Sequence, residues 1–275
     1  MAKKVKSQKK QNQKKQQKNK LRQTRLKQQV QASKMTKNEK IGDQVDYAME
    51  CLQEDDIREA EKTLTKLSKK HPNNPDVLFG FGMLAVKDDD NDQAIHLFSL
   101  VIQNKPDFSE AYFNLGVCFK DKCDFAAMVL AFREVIKFEE SDSPIAIKAQ
   151  EVIDEIAQSI RKDNNLTLDE YIAGQKCFDK TMLAFEDERW HEAIEGFNAS
   201  LEIYPKHVQS HGNLGLCYAA LGQKSTALEY LQKALKLDPD YEVATKNMAI
   251  IQSLEEGEAL PDMGNIINYY RDYRA

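Results

Sequence analysis

Three short constellations carry residue types that could do chemistry. Cys118 and Cys123 stand five apart, His207 and His211 four apart, and Asp88-Asp89-Asp90-Asn91-Asp92 forms an acidic run. Two thiols at this spacing suit a soft metal only with a second Cys or His pair at zinc spacing, and none follows. Two histidines one turn apart share a helix face and could ligate a metal, but His207 lies at a junction after Pro205. Two solvated histidines are the simpler reading. A calcium loop beginning at Asp89 needs Glu at its twelfth place, where Leu100 stands, so the acidic run reads as a solvated turn. A Gly-rich phosphate loop, a G-x-S-x-G elbow and an HExxH pair are all missing from the sequence. The expectation is no enzyme, no catalytic residue, no cofactor and no metal.

The second kind of chemistry is electrostatic. Residues 1–40 hold 15 Lys or Arg against Glu39, a charge of +14, whereas the other 235 residues carry −19. Lys9, Lys10, Lys14, Lys15, Arg22 and Arg25 lie in a stretch of Lys, Gln and Asn with few apolar residues. Such a segment buries too little surface to offset its ordering entropy, so it is expected to be disordered or transiently helical. It suits salt-dependent contact with RNA, a ribosome or another polyanion, and offers no aromatic ring for stacking bases. A solubilising tail, a targeting address and a clamp on the acidic body are the competing readings.

Elements able to position a binding surface emerge from residue 41 onward. Pro72 and Pro106 are 34 apart, as are Pro205 and Pro239, Ala60 and Ala94, Ala193 and Ala227, and Gly82 and Gly116. In 208–241, Gly215 and Ala227 lack bulk, Leu214, Tyr218 and Leu231 fill a seam, and Pro239 stops the second helix. A fixed period of this size with helical apolar patterning signals stacked helix pairs.

On these residues the body resembles the tetratricopeptide repeat (TPR) family. The clearest units are 75–108 (Phe81-Gly82, Ala94, Phe98, Pro106) and 208–241. The unit 109–142 keeps Tyr112, Leu115-Gly116, Phe119 and Phe132, but has Met128 at the usual Ala place and no closing proline. Unit 41–74 retains Ala48, Ala60, Leu64 and Pro72, and unit 174–207 has Lys180-Thr181 in place of Leu-Gly. The resemblance implies an all-α superhelical solenoid of about five helix-turn-helix repeats with extra and capping helices.

Expected domains are a tail at 1–40, three repeats at 41–142, connecting helices at 143–173, two repeats at 174–241 and capping helices at 242–275. Ser143-Pro144 opens a helix to about Arg161, ended by the polar 162–165, and Leu168 to Glu186 forms a long helix. One continuous superhelix with a degenerate repeat is the equal alternative to two sub-arrays. Further helices are expected near 242–256 and 263–273, the latter with Tyr269, Tyr270 and Tyr273.

The resemblance implies a groove lined by each repeat's first helix, with the partner a peptide or helix of another protein. It assigns Phe79, Met83, Phe113, Asn114, Val117, Phe178, Met182 and Asn213 to that groove, the two asparagines holding a bound peptide's backbone. Phe79 and Met83 before Asn114, and Phe178 and Met182 before Asn213, stand where the basic clamp for a chaperone C-terminal carboxylate would be. No Hsp70/Hsp90-type clamp is therefore expected. The repeat at 208–241 presents the small Gly212 and Ala219, so binding is placed mainly at 75–142. With no apolar run near 18 residues, no membrane span is expected, and the five scattered cysteines fit reduced thiols in the cytoplasm.

Overall fold

A computed structural model describes residues 37–260. Every regular element among them is an α-helix. The first unit, to Ala149, contains α1 (Lys37–Gln53), α2 (Ile57–Ser68), α3 (Pro75–Lys87), α4 (Asn91–Asn104), α5 (Ser109–Asp121) and α6 (Phe125–Phe138). Helix α7 (Pro144–Asn164) crosses the division between Ala149 and Gln150. The second unit then contains α8 (Leu168–Glu186), α9 (Trp190–Ile203), α10 (Val208–Ala220), α11 (Lys224–Leu237) and α12 (Glu242–Gln252).

Within the first unit α1 pairs with α2, α3 with α4 and α5 with α6; within the second α8 pairs with α9 and α10 with α11. The turn inside each pair is built the same way. Asp55, Asp89 and Cys123 in the first unit, and Glu188 and Gly222 in the second, have φ of 63°, 58°, 57°, 58° and 74°. Within each unit these left-handed positions recur every 34 residues. The next residue's N–H then closes the helix, donating to the carbonyl five back: Asp90 to Ala85 at 2.9 Å, Asp124 to Phe119 at 2.9 Å, Gln223 to Tyr218 at 2.9 Å. Asp90 and Asp124 also cap the following helix, their Oδ1 accepting from Gln93 N and Ala127 N at 3.0 Å each. Within the acidic run, Asp90 is thus a helix cap and Asp89 the left-handed turn.

Helix pairs close over glycine. A β-carbon on Gly82 would stand 2.5 Å from Phe98 Cε1, one on Gly116 2.5 Å from Phe132 Cε1, and one on Gly215 2.7 Å from Leu231 Cγ. Phe98, Phe132, Phe197 and Leu231 are buried in their respective cores.

Three boundaries differ from the sequence expectation. Helix α1 begins at Lys37, inside the stretch assigned to the tail. Helix α7 continues through Lys162 and Asp163 and gives way at Asn165, whose left-handed φ of 58° breaks it. Helix α12 ends at Gln252, where Lys224 Nζ takes the Gln252 carbonyl at 2.9 Å and also bonds that of Leu254. The basic residues Lys9 to Arg25 and the expected helix near 263–273 lie outside the described residues.

Candidate partner-binding faces

In the first unit the face of interest belongs to α3 and α5. Phe79 stacks on Phe108 at 5.1 Å between ring centroids and tilts onto Phe98 at 5.5 Å. Phe113 tilts onto Phe132 at 5.4 Å. Each ring thus rests one side on the core while remaining half-buried, as do Met83 and Val117. The Asn114 amide donates to Glu110 O at 2.7 Å, within its own helix, so that donor is already engaged.

Carboxylates border this apolar surface. Asp46 on α1 has its pKa raised, first by burial and then by the charges of Asp43 and Asp76. Asp43 and Asp46 are three apart on α1, and Asp76 opens α3. Sequence reading did not assemble this rim. The i, i+3 acidic spacing on α1 was its one visible sign.

In the second unit the corresponding residues are buried. Phe178, Met182, Asn213 and Leu216 are 3%, 2%, 3% and 1% exposed. Phe178, Met182 and Asn213, expected to line a groove, are thus covered in the second unit. Phe178 presents an edge to His207 at 4.7 Å and tilts onto Phe197 at 5.5 Å. Asn213 Nδ2 meets Met182 Sδ at 3.3 Å, so this asparagine is turned towards a neighbouring thioether.

The two histidines also differ from expectation. His207 is buried, not solvated, and its Nδ1 accepts from Ser210 N at 3.2 Å as the cap of α10. A ring that accepts at Nδ1 is the neutral Nε2–H tautomer, which donates to Gln175 Oε1 at 3.2 Å. Burial, aided by the charge of His211, pushes the His207 pKa down to about 3. Behind it Ser210 Oγ reaches Ser200 Oγ at 3.3 Å, and Ser200 Oγ donates to Gly174 O at 3.0 Å. His211 Nε2 bonds Pro205 O at 3.0 Å. This is a hydrogen-bonded polar seam inside a helix pack.

Cys118 is buried and Cys123 is exposed on the turn, so they do not face one ligand. Burial pushes the Cys118 thiol up to about 11, and raises that of Cys217 as well. Among the described residues no group of three or more His, Cys, Asp or Glu is arranged to hold a metal ion. No described helix is long and apolar enough to cross a membrane. On the outside of α2, Arg58, Lys62, Lys66 and Lys69 line a shallow depression with Glu61 and Thr65.

Family models described as Tetratricopeptide repeat match residues 51–117 and 208–241. The chain is 32% identical over 127 residues to Anaphase-promoting complex subunit 3 of Dictyostelium discoideum, covering 45% of this chain and 11% of that protein. It is 25% identical over 156 residues to Superkiller protein 3 of Schizosaccharomyces pombe, covering 50% of this chain and 11% of that protein. The chain thus spans about a tenth of these curated relatives' length. Among solved structures it is similar to YrrB, described as a TPR protein with an unusual peptide-binding site. That match has 17% identity, covers 75% of this chain and 90% of that one, and has a TM-score of 0.37.

Proposed function

The chain is a tetratricopeptide repeat protein, and we propose that it acts as a non-enzymatic interaction scaffold whose first unit binds an apolar segment of another protein. Repeats of this kind build extended binding surfaces from their stacked helices. The observation that carries the reading is the row of half-buried apolar side chains, Phe79, Met83, Phe113 and Val117, on the first helices of two successive pairs. Rings and thioethers anchored on one side in a core offer rigid and adaptable apolar contact on the other.

The carboxylate rim narrows the partner. Burial first, and then the charges of Asp43 and Asp76, raise the Asp46 pKa, so a cation arriving there offsets both. The partner segment suited to this face is an amphipathic helix or extended peptide with apolar anchors and a Lys or Arg near one end. Affinity capture should return a partner on the intact chain that is depleted at least tenfold on a Phe79→Ala/Phe113→Ala variant. Undiminished recovery on a variant whose helical content is unchanged would sink this reading.

The charge of +14 in residues 1–40 supports a second reading, in which Lys9, Lys10, Lys14, Lys15, Arg22 and Arg25 tether the protein to RNA, a ribosome or another polyanion. Deleting residues 1–36 should abolish a steeply salt-dependent co-sedimentation and leave the captured protein partners unchanged. If the intact chain binds no polyanion even at low salt, the second reading fails.

A further inference from the structure

Helix α2 turns its apolar side inward, burying Ala60, Leu64 and Leu67 in the core it shares with α1 and α3. Its other side carries Arg58, Lys62 and Lys66, continued by Lys69 at the C-cap, and all four are exposed. Spaced four, four and three apart, they form a stripe about 16 Å long. Lys70, also exposed, extends it beyond the helix. Lys62 pairs with Glu59 at 3.0 Å. Among the described residues no carboxylate pairs with Arg58, Lys66, Lys69 or Lys70.

The repeat scaffold does not require this stripe. One period on, its places are held by Asp92, His96, Leu100 and Gln103, and two periods on by Ala126, Leu130, Glu134 and Lys137. Residues 57–70 hold five Lys or Arg and two Glu, a charge of +3, in a body whose residues 41–275 carry −19. Position adds to charge. The tight turn at Asp55 folds α1 and α2 back on each other, so Ile41 near the start of one and Leu67 near the end of the other share a core. The basic stretch that precedes α1 therefore enters the fold beside Lys66, Lys69 and Lys70.

We propose that the α2 stripe is a second phosphate-binding surface, taking the backbone of the same RNA that the basic stretch before α1 holds. This rests on the reading of that stretch as a polyanion tether and extends it into the folded body. The depression along the stripe offers cations and the Thr65 hydroxyl, with Glu61 between them and no apolar side chain. A peptide partner draws most of its affinity from buried apolar and aromatic anchors, whereas a phosphate backbone is held by Arg, Lys and Thr alone. With no aromatic ring on the stripe, the contact is indifferent to base sequence and weakened by salt.

The test titrates the full chain with a fluorescein-labelled oligouridylate across about 50 to 200 mM salt. Arg58→Gln/Lys62→Gln/Lys66→Gln/Lys69→Gln places good helix formers at exposed positions, and circular dichroism should show unchanged helical content. Lys176→Gln/Lys180→Gln/Lys233→Gln/Lys236→Gln makes the same charge change at exposed residues of the second unit. The stripe variant should bind at least tenfold more weakly than the intact chain at the lowest salt. Its slope of log K against log salt should be shallower by about 2 to 3, at about 0.7 for each of three or four contacts. The second-unit variant should keep the intact chain's slope. An unchanged slope in the stripe variant, or an equal loss in both variants, overturns the proposal and leaves the tether reading standing. An intact chain that binds polyglutamate but no RNA also overturns the proposal alone, whereas one that binds no polyanion removes both.

Discussion

Gly196 on α9 lies directly against Thr181 on α8: a β-carbon at Gly196 would stand 2.6 Å from Thr181 Cγ2. Elsewhere in the molecule the small residue sits on the first helix of the pair, at Gly82, Gly116 and Gly215, and the large one on the second. Here the two have changed sides, and the threonine hydroxyl is satisfied by Cys177 O at 2.8 Å. Gly196→Ala should therefore lower stability by about 1–2 kcal/mol, overpacking outweighing the gain in helix propensity. Adding Thr181→Gly should restore much of it. Chemical denaturation of both single variants and the double variant measures the coupling, and additivity within about 0.5 kcal/mol would deny the contact.

His207 makes the second unit sensitive to acid. Its pKa falls from 6.5 in the unfolded chain to about 3 in the fold, so below pH 6.5 the unfolded chain binds more protons. Stability should hold above pH 6.5 and fall as pH drops towards 3, at up to about 1.4 kcal/mol per pH unit. His211, also shifted downward, first by burial, adds in the same direction. His207→Asn keeps a capping side chain and should flatten most of the decline between pH 6.5 and 5 in urea titrations.

Glu188 occupies the turn position filled by Gly222 one repeat later, with φ of 58°. A left-handed conformation costs a non-glycine residue roughly 1 kcal/mol. Glu188→Gly should stabilise the fold by a few tenths to about 1 kcal/mol, set against glycine's larger unfolded-state entropy. A lowered melting temperature would contradict the strain.

Thiol reactivity should sort by burial. Cys51, Cys118 and Cys217 are buried, and the Cys118 and Cys217 thiols are pushed up by that burial. Cys123 is exposed. Iodoacetamide at pH 8 should label Cys123 within minutes and leave the three buried thiols unmodified until denaturant is added, as mass spectrometry of the digests would report.

The repeat spacing was legible in the sequence because glycine and alanine mark where helices touch and proline marks where they stop. Gly82, Gly116 and Gly215 stand across from the side chains the 34-residue offset implies. The left-handed turns were mostly invisible, since only Gly222 announces one; Asp55, Asp89, Cys123 and Glu188 adopt it against their preference. Local periodicity also could not separate open from covered faces. Phe113 and Phe178 occupy the same place in the repeat, yet one is half-buried and the other 3% exposed, a difference set by tertiary packing. His207 was misread for a related reason. Its ring bonds Gln175, 32 residues away, and meets the edge of Phe178, partners that no short window connects to it.

The pairing of helices with their immediate chain neighbours has a consequence for biosynthesis. α3 meets α4 and α4 meets α5, and α9, α10 and α11 join in the same successive way. Short loops close early and at little entropic cost, so such a chain gains native contacts in the order in which it is made. The first unit owns its core up to Ala149. It can therefore consolidate while Phe178 and His207 are still being synthesised, and the nascent chain need not wait for its last residue to shelter its first apolar surfaces.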